Sequence, residues 1–288
     1  MKHKVKWLVQ KEGFAMANRI ETIALLERLG FAFGNFGILP SSSAILNLAA
    51  NLQDPEERYI IRGGTRLHAI LSAAEDPAVL GEDLTSAQLA QAAQYIKQLR
   101  LGVFYDEKKF DQAHYSGLGL PLLNADAKMY PIESNLAQVF DRDMFIKPSK
   151  DEKAFDAGIL AAGQTIEGFI ASQPQARNWR EEMAVIAPCK TIIAEYRFFV
   201  VNREVVTGSL YRFAGNANFS AHIPGNVMAA ATEFAPLYQP HAVFTMDLAE
   251  TPDGIRIVEY NCWNASRMYA ADVATIFHTV HEFISQEN

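Results

Sequence analysis

Two apolar segments joined by a short turn near the C-terminal end constrain the fold more than any other part of the sequence. Residues 244–250 and 255–261 are rich in apolar, β-branched and aromatic side chains, and they flank the sequence Thr-Pro-Asp-Gly at 251–254. Proline presets φ and glycine tolerates a positive φ, so this tetrapeptide predicts a turn between two strands. We therefore expect a β-hairpin over residues 244–261.

Acidic and amide side chains occur in this hairpin at positions that suit a metal ion. Glu259 and Asn261 are two residues apart, so on a strand they share one face and offer oxygens to a hard cation. Asp247 joins them only in one register. A two-residue loop would pair it with Val258, whereas a loop of three or five residues would pair it with Glu259. A metal site at all three residues predicts a bulged or longer turn.

Composition and charge exclude several classes of protein. The chain has 288 residues, 49% of them hydrophobic, which is enough for a substantial core. A formal charge of −7 disfavours a protein that follows nucleic-acid phosphates by bulk electrostatics. No run of about 18 uncharged apolar residues occurs, which predicts no membrane span. Cys189 and Cys262 lie far apart without metal-ligand spacing, so we expect reduced thiols and a cytoplasmic protein.

The N-terminal part of the chain predicts an α/β layer. Strand-like segments alternate there with amphipathic ones, and residues 85–88 have the spacing of a capping box at the start of a helix. We predict strands at 5–9, 36–39 and 59–64, and helices at 20–30, at 40–52 and from residue 86 onwards.

The second half of the chain predicts further strands and fewer helices. Residues 102–143 contain scattered Gly, Pro and aromatic residues and suggest an irregular connection, so we place the domain boundary there, with domains at 1–118 and 119–288. Residues 214–241 have no pattern that we can interpret. We predict strands at 144–147, 183–187, 191–201 and 205–213, and helices at 154–172 and 273–284.

A cluster of lysines follows the strand predicted at 144–147. Lys147, Lys150 and Lys153 place three amines within seven residues, where they could reach a polyphosphate. The alternative is a solvated lysine-rich loop.

A second group of charges interrupts an otherwise apolar strand. Glu195 and Arg197 alternate with apolar residues and so share one face. A two-residue turn at 202–203 would add Arg212 of the next strand to that face. The alternative is a polar outer face of a sheet.

The order of these segments resembles the ATP-grasp fold. The resemblance covers about residues 140–270, and residues 1–105 are similar to the α/β domain that usually precedes it. The fold class implied is α/β (α+β), with a pre-ATP-grasp-like domain at 1–118 and an ATP-grasp domain at 119–288. The motifs Phe-Ile-Lys-Pro at 145–148, Glu-Tyr-Arg-Phe-Phe at 195–199 and Val-Glu-Tyr-Asn at 258–261 look most like the clade defined by two arginines and a lysine.

The resemblance implies a role for each of these residues. Arg197 and Arg212 would neutralise the transferred phosphate. ATP would contact Lys147, Lys153 and Glu195, and its adenine would meet backbone groups of Ala187, Pro188, Cys189 and Lys190. Asp247, Glu259 and Asn261 would hold Mg²⁺ (or Mn²⁺), while Ser266 and Arg267 would contact the acceptor substrate. Residues 149–153 contain no glycine, unlike the phosphate loop of many ATP-grasp enzymes, so side-chain amines would replace backbone groups there.

The activity implied is that of a ligase. ATP would phosphorylate a carboxylate, and an amine would then attack the acyl phosphate to give an amide, ADP and phosphate. Alternatives are a phosphotransferase and an ATP-binding module without turnover. The expected partners are small-molecule or peptide carboxylates and amines, without nucleic acid or membrane, and a homodimer stays open as the oligomeric state.

Overall fold

The computed structural model describes residues 2–11, 16–39, 44–64, 67, 70–71, 85–100, 102–103, 107–150 and 154–286. Within this part of the chain, the strands form three sheets, one N-terminal and two C-terminal. No helix among these residues has the length and apolar character needed to cross a membrane.

The N-terminal sheet is the predicted α/β layer. Its strands are β1 (Val5–Gln10), β2 (Phe33–Ile38), β3 (Ile45–Leu46) and β4 (Arg58–Arg62), in the order β3-β2-β1-β4. β1 runs parallel to β2 and to β4, as expected when helices connect the strands. The helices are α1 (Met16–Leu29), α2 (Leu48–Asn51) and α3 (Ser86–Leu99).

Local signals predicted the ends of two of these helices. Thr85 and Gln88 form both hydrogen bonds of the capping box that starts α3. Gly30 follows α1 with a φ of 68°, a conformation that favours glycine. The predicted helix at 40–52 is wrong, because β3 and Asn47, with a φ of 61°, precede the four-residue α2. Residues 40–43, which were expected to cap that helix, lie outside the described residues.

The connection after the N-terminal sheet is irregular, as predicted. It contains a 3-10 helix at Glu107–Phe110 and the short helix α4 at Gln112–Tyr115. Leu123 then donates its backbone N–H to the Ile257 carbonyl at 2.7 Å. This hydrogen bond joins the irregular connection to the predicted hairpin.

A four-stranded antiparallel sheet comes next. It consists of β5 (Lys128–Pro131), β6 (Met144–Pro148), β7 (Gly158–Leu160) and β8 (Met183–Pro188), in the order β5-β8-β6-β7, with helix α5 (Ile166–Ala171) packed against it.

The predicted helix at 154–172 is wrong. Its first half contains β7, and Gly163, with a φ of 75°, lies between this strand and α5. Thr165 accepts a hydrogen bond from the Gly168 N–H and so starts a new helix. The apolar residues Leu160 and Ile166 are buried in the same cluster, which explains why their spacing resembled one helical face.

The five-stranded antiparallel sheet carries the predicted hairpin. Its strands are β9 (Ala194–Val201), β10 (Glu204–Phe213), β11 (Asn216–Ser220), β12 (Val243–Thr251) and β13 (Gly254–Cys262), in the order β11-β10-β9-β12-β13. All residues of β9 are buried, as suits a central strand. Residues 214–241, which showed no interpretable pattern, contain β11 and helix α6 (Gly225–Phe234).

The C-terminal helix α7 (Val273–Gln286) connects the N-terminal sheet with the five-stranded sheet. One hydrophobic cluster contains Trp7 of β1, Phe198 of β9 and Phe277 of α7. The Trp7 and Phe277 rings stack with centroids 4.4 Å apart. These two sheets therefore share a core through α7, while the four-stranded sheet has a cluster of its own. The domain boundary between 118 and 119 stays a prediction.

Candidate active site

A cleft lies between the four-stranded and the five-stranded sheets. It consists of two adjoining cavities of about 380 and 390 Å³. Lys147 of β6, Arg212 of β10 and Glu259 of β13 line both cavities. The structure thus brings three of the residues singled out in the sequence to one place.

The hairpin at 244–261 has the register that the metal hypothesis requires. Asp247 pairs with Glu259, which confirms the expected pairing. Thr251 pairs with Gly254, so the loop itself holds only two residues. The register shifts between Asp247 and Leu248, which leaves Val258 as an extra residue in β13. The bulge therefore lies in the strand and not in a longer turn.

A bulge in β10 determines which of its side chains face the cleft. Asn202 and Arg203 have φ values of 48° and 71° and form the predicted two-residue turn. Arg212 pairs with Glu195 and so joins its face, as predicted, but the register shifts just before it. Tyr211 is the extra residue there, and both Tyr211 and Arg212 line the 390 Å³ cavity. The bulge lets two successive side chains face the cleft.

Arg197 and Asp247 form a buried ion pair on neighbouring strands. The Arg197 Nε donates to Asp247 Oδ1 at 2.8 Å and its Nη2 donates to Oδ2 at 2.7 Å. Asn261 Nδ2 donates to the same Oδ2 at 3.4 Å. The guanidinium also lies 5.3 Å from the centroid of the Tyr269 ring. This bidentate geometry fixes the carboxylate within the sheet.

Burial and charge act in opposite directions on this pair. Burial is the largest single influence on the pKa of Arg197 and lowers it, but the charge and hydrogen bonds of Asp247, together with Tyr269 and Tyr211, raise that pKa more in sum. Burial raises the pKa of Asp247, and Arg197 opposes this change. Arg197 stays charged under all ordinary conditions.

Lys147 and Glu259 form a second ion pair, which crosses the cleft. Lys147 Nζ donates to Glu259 Oε2 at 2.8 Å. The two side chains are 11% and 26% exposed, so solvent reaches both. This contact joins the four-stranded sheet to the five-stranded sheet.

Glu195 holds two cleft residues of β10. The Tyr211 hydroxyl donates to Glu195 Oε2 at 2.8 Å, and Arg212 Nη1 donates to Oε1 at 2.9 Å. Burial raises the pKa of Tyr211 well above its ordinary value, with further contributions from Asp247 and Glu195. The Glu195 carboxylate raises the pKa of Arg212. Tyr211 is therefore a neutral hydrogen-bond donor at the cleft wall.

Two of the four residues predicted to contact adenine line the cleft, and two do not. Cys189 and Lys190 line the 390 Å³ cavity. Ala187 and Pro188 pair with residues of β6 and are not among the described residues that line either cavity. An apolar wall suited to a planar base completes this end of the cleft. It consists of Leu123, Phe145, Ile159, Ile192 and Val258.

The lysine cluster is only partly described. Lys150 lines the 380 Å³ cavity and its Nζ donates to Glu182 Oε1 at 2.9 Å. Lys153 lies outside the described residues, so its phosphate contact stays a prediction.

The predicted acceptor residues lie in a third cavity, of about 660 Å³. Ser266 is buried, and its Oγ donates to the Cys262 carbonyl at 2.6 Å. Arg267 is exposed. Tyr269 lines both this cavity and the 390 Å³ cavity, so the two are adjacent.

The donor set at the hairpin fits a hard cation. Asp247, Glu259 and Asn261 supply two carboxylates and one amide, and each lines the cleft. A carboxylate has about four acceptor positions, so carboxylates that accept hydrogen bonds from Arg197, Asn261 and Lys147 can also bind a metal. Among the described residues, no group of three His, Cys, Asp or Glu side chains lies close enough to hold a metal. A metal at this hairpin would therefore be shared with a ligand such as a polyphosphate.

Sequence reasoning missed Tyr211 and the apolar wall. Strict alternation along β10 places Tyr211 and Arg212 on opposite faces, and only the bulge brings both to the cleft. Leu123 reaches the wall through its contact with β13, which connects distant parts of the chain. No local pattern signals either feature.

Known proteins share this architecture. The family model described as ATP-grasp domain, R2K clade family 3, matches residues 66–280. No curated protein sequence matches the chain. The ATP-grasp ligase PsnB, in a complex with precursor peptide PsnA2 and AMPPNP, is 9% identical with a TM-score of 0.56, and the alignment covers 99% of this chain and 98% of PsnB.

Two further solved structures have the same fold. The RimK domain protein ATP-grasp from Sphaerobacter thermophilus DSM 20745 is 13% identical, with a TM-score of 0.51 and coverage of 97% of this chain and 98% of that one. D-alanine--D-alanine ligase from Bacillus anthracis is 10% identical, with a TM-score of 0.53 and coverage of 98% and 94%. The α+β ATP-grasp fold expected from the sequence is thereby confirmed. The chain belongs to the ATP-grasp superfamily, in family 3 of its R2K clade.

Proposed function

We propose that this protein is an ATP-dependent carboxylate–amine ligase that forms an amide bond through an acyl phosphate. The observation that carries the proposal is the convergence of Lys147, Arg197 and Arg212 with the acidic hairpin in one cleft. Cations and metal-binding acids are the groups that phosphoryl transfer requires, because the protein contributes mainly positioning and charge neutralisation.

Each residue has a distinct part in this proposal. Lys147 and Arg212, which line both cavities, bind the phosphates of ATP, and Lys153 is expected to join them. Arg197 holds Asp247 in place and adds positive charge beneath the transferred phosphate. Mg²⁺ (or Mn²⁺) would be held by Asp247, Glu259 and Asn261. When bound, the metal supplies further neutralisation of phosphate charge.

The proposed reaction has two steps. A carboxylate oxygen of the first substrate attacks the γ-phosphorus of ATP, the bond to the β,γ-bridging oxygen breaks, and ADP leaves. The amine of the second substrate then attacks the acyl carbon, loses a proton, and expels inorganic phosphate. The arginines oppose the negative charge that builds up on the transferred group.

Two related ligases support the choice of product and substrates. One structural relative is a D-alanine–D-alanine ligase, which supports an amide product, and PsnB forms complexes with a precursor peptide, which supports a peptide substrate. We therefore propose a small-molecule or peptide carboxylate and an amine as the two substrates. The wide apolar wall beside Cys189 and Lys190 accommodates the adenine of ATP.

Trapping with hydroxylamine tests this reaction. Purified protein is incubated with MgATP, a library of carboxylic acids and hydroxylamine, and ADP and hydroxamates are quantified. The proposal predicts ADP release that depends on an acid, with one hydroxamate formed for each ADP. A stable phosphorylated product without hydroxamate would instead identify a phosphotransferase. ATP binding without any ADP release over the whole library would favour a non-catalytic module.

A further inference from the structure

The third cavity has a composition unlike that of the nucleotide cleft. Its volume is about 660 Å³, and it lies where α1, β4, β11, the 263–269 loop and α7 meet. Three arginines from three separate elements line it, namely Arg28 of α1, Arg62 of β4 and Arg267 of the loop. Among the described residues, Glu21 is the acidic member of the lining. Positive charge is therefore concentrated here, on a chain whose formal charge is −7.

The rest of this cavity is apolar. Phe219 of β11 contributes aromatic surface and Val273 of α7 contributes aliphatic surface, while the lining residues Phe277 and Leu25 are almost fully buried. Phe219 is 59% exposed, so its apolar surface is open to solvent. A ligand with an apolar body and an anionic group matches both parts of the lining.

Arg62 holds the loop that carries Arg267. Its Nη1 donates to the Trp263 carbonyl and its Nη2 donates to the Ser266 carbonyl at 3.1 Å. The guanidinium lies 4.7 Å from the centroid of the Trp263 ring. The Gly63 N–H also donates to the Asn264 carbonyl at 2.9 Å. The N-terminal sheet thus fixes the loop, so the cavity is formed before any ligand binds.

Tyr269 separates this cavity from the nucleotide cleft. Its ring stacks on Tyr211 at 5.1 Å and on Phe219 at 5.4 Å between centroids. Its φ of 51° is uncommon for a residue with a side chain, and the surrounding contacts maintain it. A ligand in the third cavity is therefore one aromatic side chain away from Arg197 and the proposed phosphate site.

We infer that the 660 Å³ cavity binds a substrate that carries a carboxylate on an apolar body. The carboxylate contacts Arg267 and Arg28, whose planar guanidinium groups suit it, and the body packs against Phe219 and Val273. The anchored carboxylate is not the reacting group; the reacting end of the substrate, an amine or a second carboxylate, points towards Tyr269. This inference rests on the proposed function only in calling the bound acid a substrate.

Saturation-transfer NMR on the whole protein without nucleotide tests the assignment. The probes are N-acetyl amino acids with apolar side chains, each compared with its neutral N-acetyl amino acid amide. The acid with the strongest transfer is then titrated into the wild type, Arg28→Gln, Arg267→Gln and the double variant. Arg177→Gln, at an exposed site beside the four-stranded sheet, is the matched control.

The acids should show stronger transfer than their amides, and the double variant should bind the acid at least about ten-fold more weakly. Arg177→Gln should bind like the wild type. Equal transfer from acids and amides, or unchanged affinity in the double variant, would overturn the assignment. If the double variant does not fold, the two single variants decide, since each substitution should by itself weaken binding of the acid.

The same proteins separate this inference from the proposed function. Calorimetric titration with MgATP should give the same affinity in the wild type and in the double variant, since neither arginine lines the nucleotide cleft. A wild type that binds the acids but not MgATP would contradict the proposed function and keep the anion-binding site. Intact MgATP binding without any preference for acids would contradict the site alone.

Discussion

The two ion pairs of the cleft differ in burial and in what fixes them. Arg197 and Asp247 lie opposite each other on β9 and β12, with side chains 10% and 3% exposed and two hydrogen bonds between them. Lys147 and Glu259 come from different sheets, share one hydrogen bond, and are 11% and 26% exposed. The strand register of one sheet places the first pair together, whereas the second pair depends on how closely two sheets approach each other.

This difference indicates separate roles for the two pairs. A buried pair is costly to break, because removal of one partner leaves an uncompensated charge in the core. A pair that solvent reaches contributes little to stability and can exchange its partners. We expect the Arg197–Asp247 pair to stay together in all states. Lys147 and Glu259 should separate when phosphate and metal bind.

The largest expected effect is on the buried pair. Asp247→Leu should lower the free energy of unfolding by about 3–5 kcal/mol, because Arg197 is then buried without its carboxylate. Urea unfolding followed by circular dichroism measures this change. The double variant Arg197→Met with Asp247→Leu should recover most of the loss and still fail to turn over ATP. A single variant within about 1 kcal/mol of the wild type would remove the distinction between the pairs.

The next effect separates stability from binding. Lys147→Met should change the free energy of unfolding by less than about 1 kcal/mol, because the pair with Glu259 is partly solvated. Its dissociation constant for MgATP should rise about 10- to 100-fold, through loss of a charge-assisted hydrogen bond to phosphate. Lys128→Met, at an exposed position of β5, is the control and should change neither quantity. Loss of stability without loss of affinity would reverse the proposed roles.

The smallest expected effect is on stability at alkaline pH and concerns Tyr211, which lies beside the buried pair. Burial raises the pKa of Tyr211 above its ordinary value of 10.0. The stabilising contribution of this phenol is therefore fully present below about pH 10 and is lost as the pH rises further. The free energy of unfolding should fall between about pH 10 and 11.5, and Tyr211→Phe should make that fall shallower. Identical slopes in both proteins would mean that Tyr211 ionises as freely as it does in the unfolded chain.

Local chemistry explains what could be predicted from the sequence. The capping box at Thr85 and the turn at 202–203 depend on a few neighbouring residues, and the structure has both. The pairing of Asp247 with Glu259 followed from the requirement that one metal meet both acids. The bulge at Val258 that produces this pairing was expected in the turn, because alternation alone does not indicate which residue is extra.

Tertiary contacts explain what could not be predicted. The apolar residues at 154–172 suit a helical face and also suit β7 followed by α5, and packing against the four-stranded sheet selects the second arrangement. Tyr211 faces the cleft because of a bulge, and Leu123 because of its pairing with β13. The arginines of the third cavity come from three distant segments, so no spacing in the sequence connects them.

Calorimetric titration of ATP, with Mg²⁺ and then with EDTA, tests the central claim most directly. We predict binding that depends on Mg²⁺ in the wild type. In Glu259→Gln, whose side chain is partly exposed, this Mg²⁺-dependent binding should weaken at least about ten-fold while the melting temperature is unchanged. A wild type that does not bind ATP under either condition, or a Glu259→Gln variant with the same Mg²⁺ dependence as the wild type, would contradict the account.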